Sequence, residues 1–553
     1  MFTRIVKVRK GKKVHQYLRL VENSWKNGKT RQRVIANFGN LETLDAKKID
    51  SAIASLLRFS SGHFANLHDL EIHSVQHLGE LLAGEMFWQE LGLDEILPRH
   101  LNGQRLSGKA PLLVKTMVLS RLVKPLSKLA LTENLHRLAI PRLEGSHFEP
   151  HHFYRAMDEL ISCKETIEIA LHEREKDLFN LNLNLVFYDI TSSYLEGDAC
   201  PLGAHGYSRD HRRDRQQIVI GLLVTDQGLP IAHQVFPGNT RDSTTLTGQV
   251  KRLKQRFGIK QCVLVVDRGM VSEDNLKSLR DDGYDYIVAL RKRKRALFEP
   301  VLRENRDRLA PVDGQGRLTG FESGLSEFGD DRLLFYFNPE KAEVEARHRK
   351  ERLEKAEKEL QRIQDIFISG KRKNREQLLQ QAARYLQRCN LSRFFTLQTD
   401  KTSGIVCSLK REIVDFESSL DGYFVLRTNR TDLSQSEAVA AYKTLARVES
   451  AFKELKNFID LRPMYHWAKR RVEAHVFICV LAYLIEICIE IRLKEANMKM
   501  TARKALNLLS DVKLVKQSVG EIEMCTYSKP TPEASKIIQA LKLKLPKEKL
   551  IVR

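Results

Sequence analysis

Metal-binding cysteine pairs, a bilayer-length apolar run and a signal-like amino terminus are all missing from this 553-residue sequence. The eight cysteines are scattered, with no CxxC pair and no Cys/His cluster at zinc spacing, which argues against a zinc finger or ribbon. They read as reduced, mostly buried thiols of a cytosolic protein. The most apolar run, 476–485 (VFICVLAYLI), is followed by Glu486 and Glu490 and is too short and interrupted to cross a membrane. The opening MFTRIVKVRKGKK lacks a signal-like apolar core. No repeat or low-complexity tract is present. Acidic residues are also in short supply: 70 Asp and Glu face 92 Lys and Arg, a formal charge of +22. That excess favours a polyanionic partner, and nucleic acid fits better than an anionic membrane. Hydrophobic residues make up 42%, enough for real cores, and the length predicts about two to four folding units.

Residues 1–75 read as a small basic β-rich unit. Ile5–Val8, Gln16–Val21 and Arg31–Phe38 alternate as short strands, joined by turns such as Lys10-Gly11-Lys12-Lys13. Such a sheet is suited to grip a DNA backbone or simply to stay solvated, and both readings stand. Over 76–180 the apolar spacing turns helical (Leu78, Leu81, Leu82; Leu112, Leu113, Met117), broken at Pro125 and Pro141. This region is either a DNA-binding element or a structural bundle, and Arg121–Lys128 places three cations beside a helix break.

From 181 to 335 the order is strand, hairpin, strand, helix, strand, helix, strand. The first strand, Leu183–Ile190, is expected to end at Thr191-Ser192-Ser193, leaving Asp189 near its carboxyl end. A second apolar strand, 262–267, also finishes in an acid, Asp267. This order predicts an α/β, ribonuclease-H-like core in which the first and fourth strands lie parallel and bring the two aspartates together; ligands of open α/β sheets gather at such strand ends. Residues 336–433 read as an insertion into that core, with a charged helical hairpin and further strands. The spacing of Leu353, Ala356, Leu360 and Ile363 is also compatible with an intermolecular coiled coil. Residues 434–500 complete the core with a helix bearing Glu449, and 501–553 form a carboxyl-terminal tail.

Phosphodiester cleavage at neutral pH needs an activated nucleophile and a stabilised leaving oxygen, which two divalent cations supply when carboxylates hold them. Hard cations take oxygen ligands, so Asp189, Asp267 and Glu449 form the candidate metal and catalytic trio. Singly, each is weak: a lone strand-end Asp usually caps a turn, and a Glu449–Lys453 pair is worth only about 0.2–0.5 kcal/mol. Together they are more specific, since Glu449, Lys453 and Lys456 share one helix face and can meet both a cation and the neighbouring phosphates. Further basic groups are Arg291, Lys292 and Arg293, together with Arg209, Arg212, Arg213 and Arg215.

Read together, these motifs resemble the DDE transposases of bacterial insertion sequences, in the branch with a Y-x2-R-x3-E-x6-K signature. Here those positions hold Tyr442, Leu445, Glu449 and Lys456. Leu445 stands where that branch has Arg, and Arg447 follows two residues on. Tyr188–Ser192 and Val266–Met270 resemble the first and second acid regions; His205–Ser208 and Pro237–Thr240 are also similar to family segments. The resemblance implies a Mg2+-dependent enzyme (Mn2+ able to substitute) that binds the inverted repeats of its element. It would cut with water and then join the freed 3′-OH to target DNA. It implies Asp189, Asp267 and Glu449 as metal ligands, and Tyr442, Arg447, Lys453, Lys456, Arg291, Lys292 and Arg293 as DNA contacts. Double-stranded DNA would be the partner of a homodimer or larger assembly, acting in the bacterial cytoplasm on nucleoid DNA. The rival expectations are a ribonuclease-H-like nuclease without strand transfer and an inactive DNA-binding relic.

Overall fold

The computed structural model describes the chain except residues 12, 27–28, 58, 60–69, 102–105, 107, 144, 180–184, 243, 246–247, 249–255, 258–262, 267–271, 291–294, 313–316, 372–373, 520–521, 548 and 553. Two compact units result. The first comprises 1–75, 515–526 and 547–553, and the second 76–514 with 527–546.

In the first unit, β1 (Phe2–Lys10), β2 (Lys13–Lys26) and β3 (Lys29–Asn40) form an antiparallel meander. Its alternating residues leave Ile5, Val14, Trp25 and Val34 largely exposed, so this sheet is not buried on either side along much of its length. A second sheet joins β4 (Leu70–His77) to Lys513–Val519, Ile522–Tyr527 and Lys549–Val552. The expected tail is therefore structural. Its strand Lys513–Val519 pairs with β4 and the other two follow in turn, and its helices Ala502–Leu509 and Pro532–Ala540 send Leu506, Leu509 and Ile537 into the core of the second unit. Thr531 caps the last helix by accepting from the Ala534 N–H, with Pro532 at its first position, as that dipeptide predicts.

The second unit is built on a nine-stranded sheet. Its strands are β5 (Leu185–Tyr194), β6 (Gln217–Thr225), β7 (Pro230–Pro237), β8 (Val263–Val266), β9 (Asp285–Ala289), β10 (Ala310–Pro311), β11 (Thr319–Ser323), β12 (Arg332–Phe337) and β15 (Tyr423–Thr428); β13 (Phe395–Asp400) and β14 (Gly404–Leu409) pair separately. The spatial order is β10-β11-β12-β15-β9-β8-β5-β6-β7. β5, β6 and β7 are antiparallel, and β8 and then β9 add in parallel on the other side of β5. Both faces are covered, so the strands read as near-continuous apolar runs. Phe187, Ile220, Val265 and Ile287 meet the 76–180 helices and the helix Lys469–Glu495; Val186, Tyr188, Leu264 and Val288 meet Leu276 and Leu279 of the helix Glu273–Asp281.

Two boundaries differ from the sequence expectation. β5 does not stop at Ile190: Thr191, Ser192 and Ser193 continue it, paired with Ile220, Val219 and Ile218 and buried. Pairing with an apolar neighbour overrides the turn tendency of serine. Asp189 thus stands in mid-strand. Second, Tyr423–Thr428, expected inside the insertion, is a central strand between β12 and β9. A buried network anchors it: Arg427, 2% exposed, donates to Asp331, which also accepts from Tyr286 Oη at 2.5 Å and Arg280 at 2.7 Å. The true excursion is 338–422. Its hairpin of Pro339–Ile368 and Arg375–Arg388 closes Leu353, Ala356, Leu360 and Ile363 onto Leu378, Ala382 and Leu386, so the apolar seam is satisfied within the chain.

Among the described residues no helix is long and apolar enough to cross a membrane. The helix Lys469–Glu495 is apolar all round because it is buried under the sheet. Glu486, which interrupts its apolar run, is itself only 4% exposed, and burial aided by Glu454 and Glu490 pushes its carboxyl up to about 8. A carboxyl raised in the fold above its ordinary value stabilises below that ordinary value, and the contribution is lost as pH rises toward 8. Glu486→Gln should therefore raise the melting temperature at pH 8 and change it little at pH 5, read by paired thermal scans of wild type and variant. Equal effects at both pH values would show that Glu486 is ionised throughout.

Candidate active site

Asp189 lies on the same face of β5 as Phe187, two residues away on the pleat. It is half-buried, and its Oδ1 accepts the Ile190 N–H at 2.7 Å. In the parallel register Tyr188 sits opposite Val266, the last residue of β8. Asp189 is therefore one residue past the last described pair of β5 with β8, and it pairs with Leu222 of β6. Asp267 is the next residue in sequence after Val266, and it lies outside the described residues, as do Arg291, Lys292 and Arg293.

The helix Ala446–Asn457 packs against β5 on this face and contributes Val448, Ala451, Phe452 and Leu455 to the shared core. Glu449 is in its first turn and exposed, with Lys453 exposed one turn further on. Among the described residues no three His, Cys, Asp or Glu side chains gather into a metal-binding group. The described donors are carboxylates, the type a hard divalent cation takes.

The remaining expected DNA contacts are engaged within the protein. Tyr442 is half-buried, stacked on Phe424 with ring centroids 6.3 Å apart. Arg447 donates to the carbonyl of Asp226. Lys456 is 10% exposed and donates to Asp210 Oδ1 at 2.8 Å. Burial lowers its pKa, with Asp210 opposing the shift.

Asp210 is the residue that sequence reasoning passed over. It sits in the basic loop between β5 and β6 and is 3% exposed, and Arg462 pairs with the same oxygen as Lys456. The loop is held against the strands: the Arg209 N–H donates to Ser192 Oγ at 2.8 Å, and the Arg209 guanidinium pairs with Asp242 at 2.8 Å. Arg212 and Arg215 pair with Asp214 and Glu196, while Arg213 is exposed. The only sequence signal for Asp210 was an acid set among arginines.

The two glycine segments, 205–208 within this loop and 237–240 at the end of β7, have a steric basis. A Cβ on Gly238 would lie 1.9 Å from the Gln217 carbonyl oxygen and 2.4 Å from that of Ala204; one on Gly206 would lie 2.2 Å from the Gly238 carbonyl oxygen. These are backbone atoms that cannot swing aside. Gly238→Ala should cost about 2–3 kcal/mol, measured by urea unfolding; an unchanged midpoint would mean that the two segments are not packed this way.

The family model described as "Transposase DDE domain" matches residues 186–485, and that of the "IS1634 family transposase, N-terminal domain" matches 3–66. No curated protein matches. A solved structure, the piggyBac transposase synaptic complex with hairpin DNA, is similar at 10% identity and a TM-score of 0.36 over 79% of this chain and 82% of that one. The span that carries Asp189, Asp267 and Glu449 is matched along its whole length and makes up more than half of the sequence, so the chain belongs to the DDE transposases of insertion sequences.

Proposed function

We propose that this chain is a metal-dependent transposase that binds its element's inverted repeats, cuts at their ends and joins the freed 3′-OH to target DNA, with a ribonuclease-H-like catalytic core. The reading is carried by the β5–β8 register, which sets Asp189 beside the end of the strand that leads into Asp267, with the Glu449 helix packed on the same strand. The strand order β7-β6-β5-β8-β9 and its directions are those of a ribonuclease-H core. Asp189, Asp267 and Glu449 would hold Mg2+ (or Mn2+), which when bound supplies Lewis acidity and charge neutralisation at the scissile phosphate.

The protein's own part is positioning. Asp189 is fixed by its pairing with Leu222 of β6, by a strand that β8 pairs up to Tyr188, and by its bond to the Ile190 N–H. Glu449 is fixed by a helix whose buried side is Val448, Ala451, Phe452 and Leu455. Lys453, exposed on that helix, offers a cation to the strand, and Arg291, Lys292 and Arg293 follow the sheet strand β9 in sequence. Lys456 contributes indirectly by holding Asp210 and its loop. Pairing two element ends requires a dimer or larger assembly on DNA, in the bacterial cytoplasm. The test is incubation of labelled element-end duplex with a target duplex and Mg2+, with products resolved by strand length. Cut and joined strands support the reading, and nicking without joining favours a nuclease. No cutting of end DNA that the protein binds would favour an inactive relic.

A further inference from the structure

A cavity of about 230 Å3 lies between the helical region and the segment after the Glu449 helix. Arg121, Lys128 and Arg462 line it, with His466, His475 and, 71% exposed, Tyr465. Its volume is several times the roughly 30 Å3 share of one water. Lys128 is only 5% exposed, and among the described residues its ammonium has no hydrogen bond or ion pair. Burial, with Arg121 nearby, pulls its pKa down to about 7. His475 Nδ1 is buried and unpaired while Nε2 lies 3.2 Å from the Leu461 carbonyl oxygen. Burial first, and then the surrounding cations, hold both histidines neutral. Arg121 is spent in part on the carbonyls of Ile459 and Asp460, at 2.8 and 2.9 Å. The Asp460 carboxylate also lines the cavity and interacts with Arg121 and Arg462, although its residue is exposed. One exposed carboxylate faces three cations here, and a buried ammonium such as that of Lys128 beside an open space is costly unless an anion joins it.

The cavity is tied to the catalytic strands. The Glu196 N–H donates to the Met464 carbonyl at 2.9 Å just past β5, and Arg462 reaches Asp210, the partner of Lys456 on the Glu449 helix. We propose that this cavity receives one phosphate group of the DNA strand led to Asp189 and Glu449. The proposal rests on the transposase reading for the identity of the strand, while its anion chemistry stands on the cavity alone.

The test compares full-length wild type with Lys128→Met, with Lys128→Gln as a second variant should the first not fold. Inorganic phosphate should raise the wild-type melting temperature by about 3 °C over chloride at matched ionic strength, and neither variant should respond. Asp189→Asn should respond as wild type does. On end DNA the variants should bind more weakly, with a salt slope shallower by about one. An absent wild-type response, or an equal response in the variants, overturns the proposal. A phosphate response lost without any change in DNA affinity or slope also overturns it, because the cavity would then serve a free anion. If wild type shows both effects but never cuts DNA, the cleavage reading fails and this one survives.

Discussion

Asp189→Asn should fold, bind element-end DNA and cut it at least about 10^3-fold more slowly than wild type, a loss of about 4 kcal/mol of transition-state stabilisation. The substitution is close to isosteric, and the amide oxygen can still accept the Ile190 N–H. Strand β5 is held by its pairings with β6 and β8 and by its buried neighbours Phe187, Tyr188 and Ile190. What asparagine removes is the negative charge that would hold a cation. Asp267→Asn and Glu449→Gln should give losses of the same order, because on the proposed reading the three carboxylates would act as one unit and their effects should not add. Lys453→Met should behave differently, weakening DNA binding in a salt-dependent way while leaving most of the cutting rate at saturating DNA. Single-turnover cleavage measured beside a binding isotherm separates the two. A fully active Glu449→Gln would remove this helix from the metal site and send the search for the third acid elsewhere in the chain.

Much of this arrangement was legible in the residues. The order of strands from 185 to 289 followed from apolar runs punctuated by turns such as Asp226-Gln227-Gly228, and the parallel pairing of β5 with β8 followed from that order. The helical hairpin was legible because a heptad-like seam ran out and then returned. Topology at a distance was not. Tyr423–Thr428 is an ordinary short strand in sequence, and nothing local says that Leu426 pairs with Ala289 and Leu334. β11 and β12 were missed for the same reason, being short strands whose partners are remote. The role of Lys456 was hidden similarly: its spacing from Glu449 placed it on the right flank of the helix, but its partner, Asp210, is 246 residues away. A motif fixes which residues share a face, whereas a buried ion pair depends on the whole chain being folded.

Asp210→Ala should then be the most damaging single change in the loop beside the site, costing about 3–5 kcal/mol of stability. Removing the carboxylate leaves Lys456, 10% exposed, and Arg462, 26% exposed, facing each other without a counter-charge. Lys456→Met alone should cost less, since Arg462 keeps its partner. Combining the two substitutions should recover a large part of the loss, because the double variant no longer buries an unpaired ammonium; the recovered fraction, read from urea midpoints in a double-mutant cycle, is the coupling between the residues. Activity should not follow stability. The double variant lacks the tie between the Glu449 helix and the loop after β5, so it should regain its fold while cutting DNA slowly even at saturating substrate. Simple additivity in the cycle would show that Asp210 and Lys456 do not meet, and full activity in the refolded double variant would show that the loop needs no such anchor.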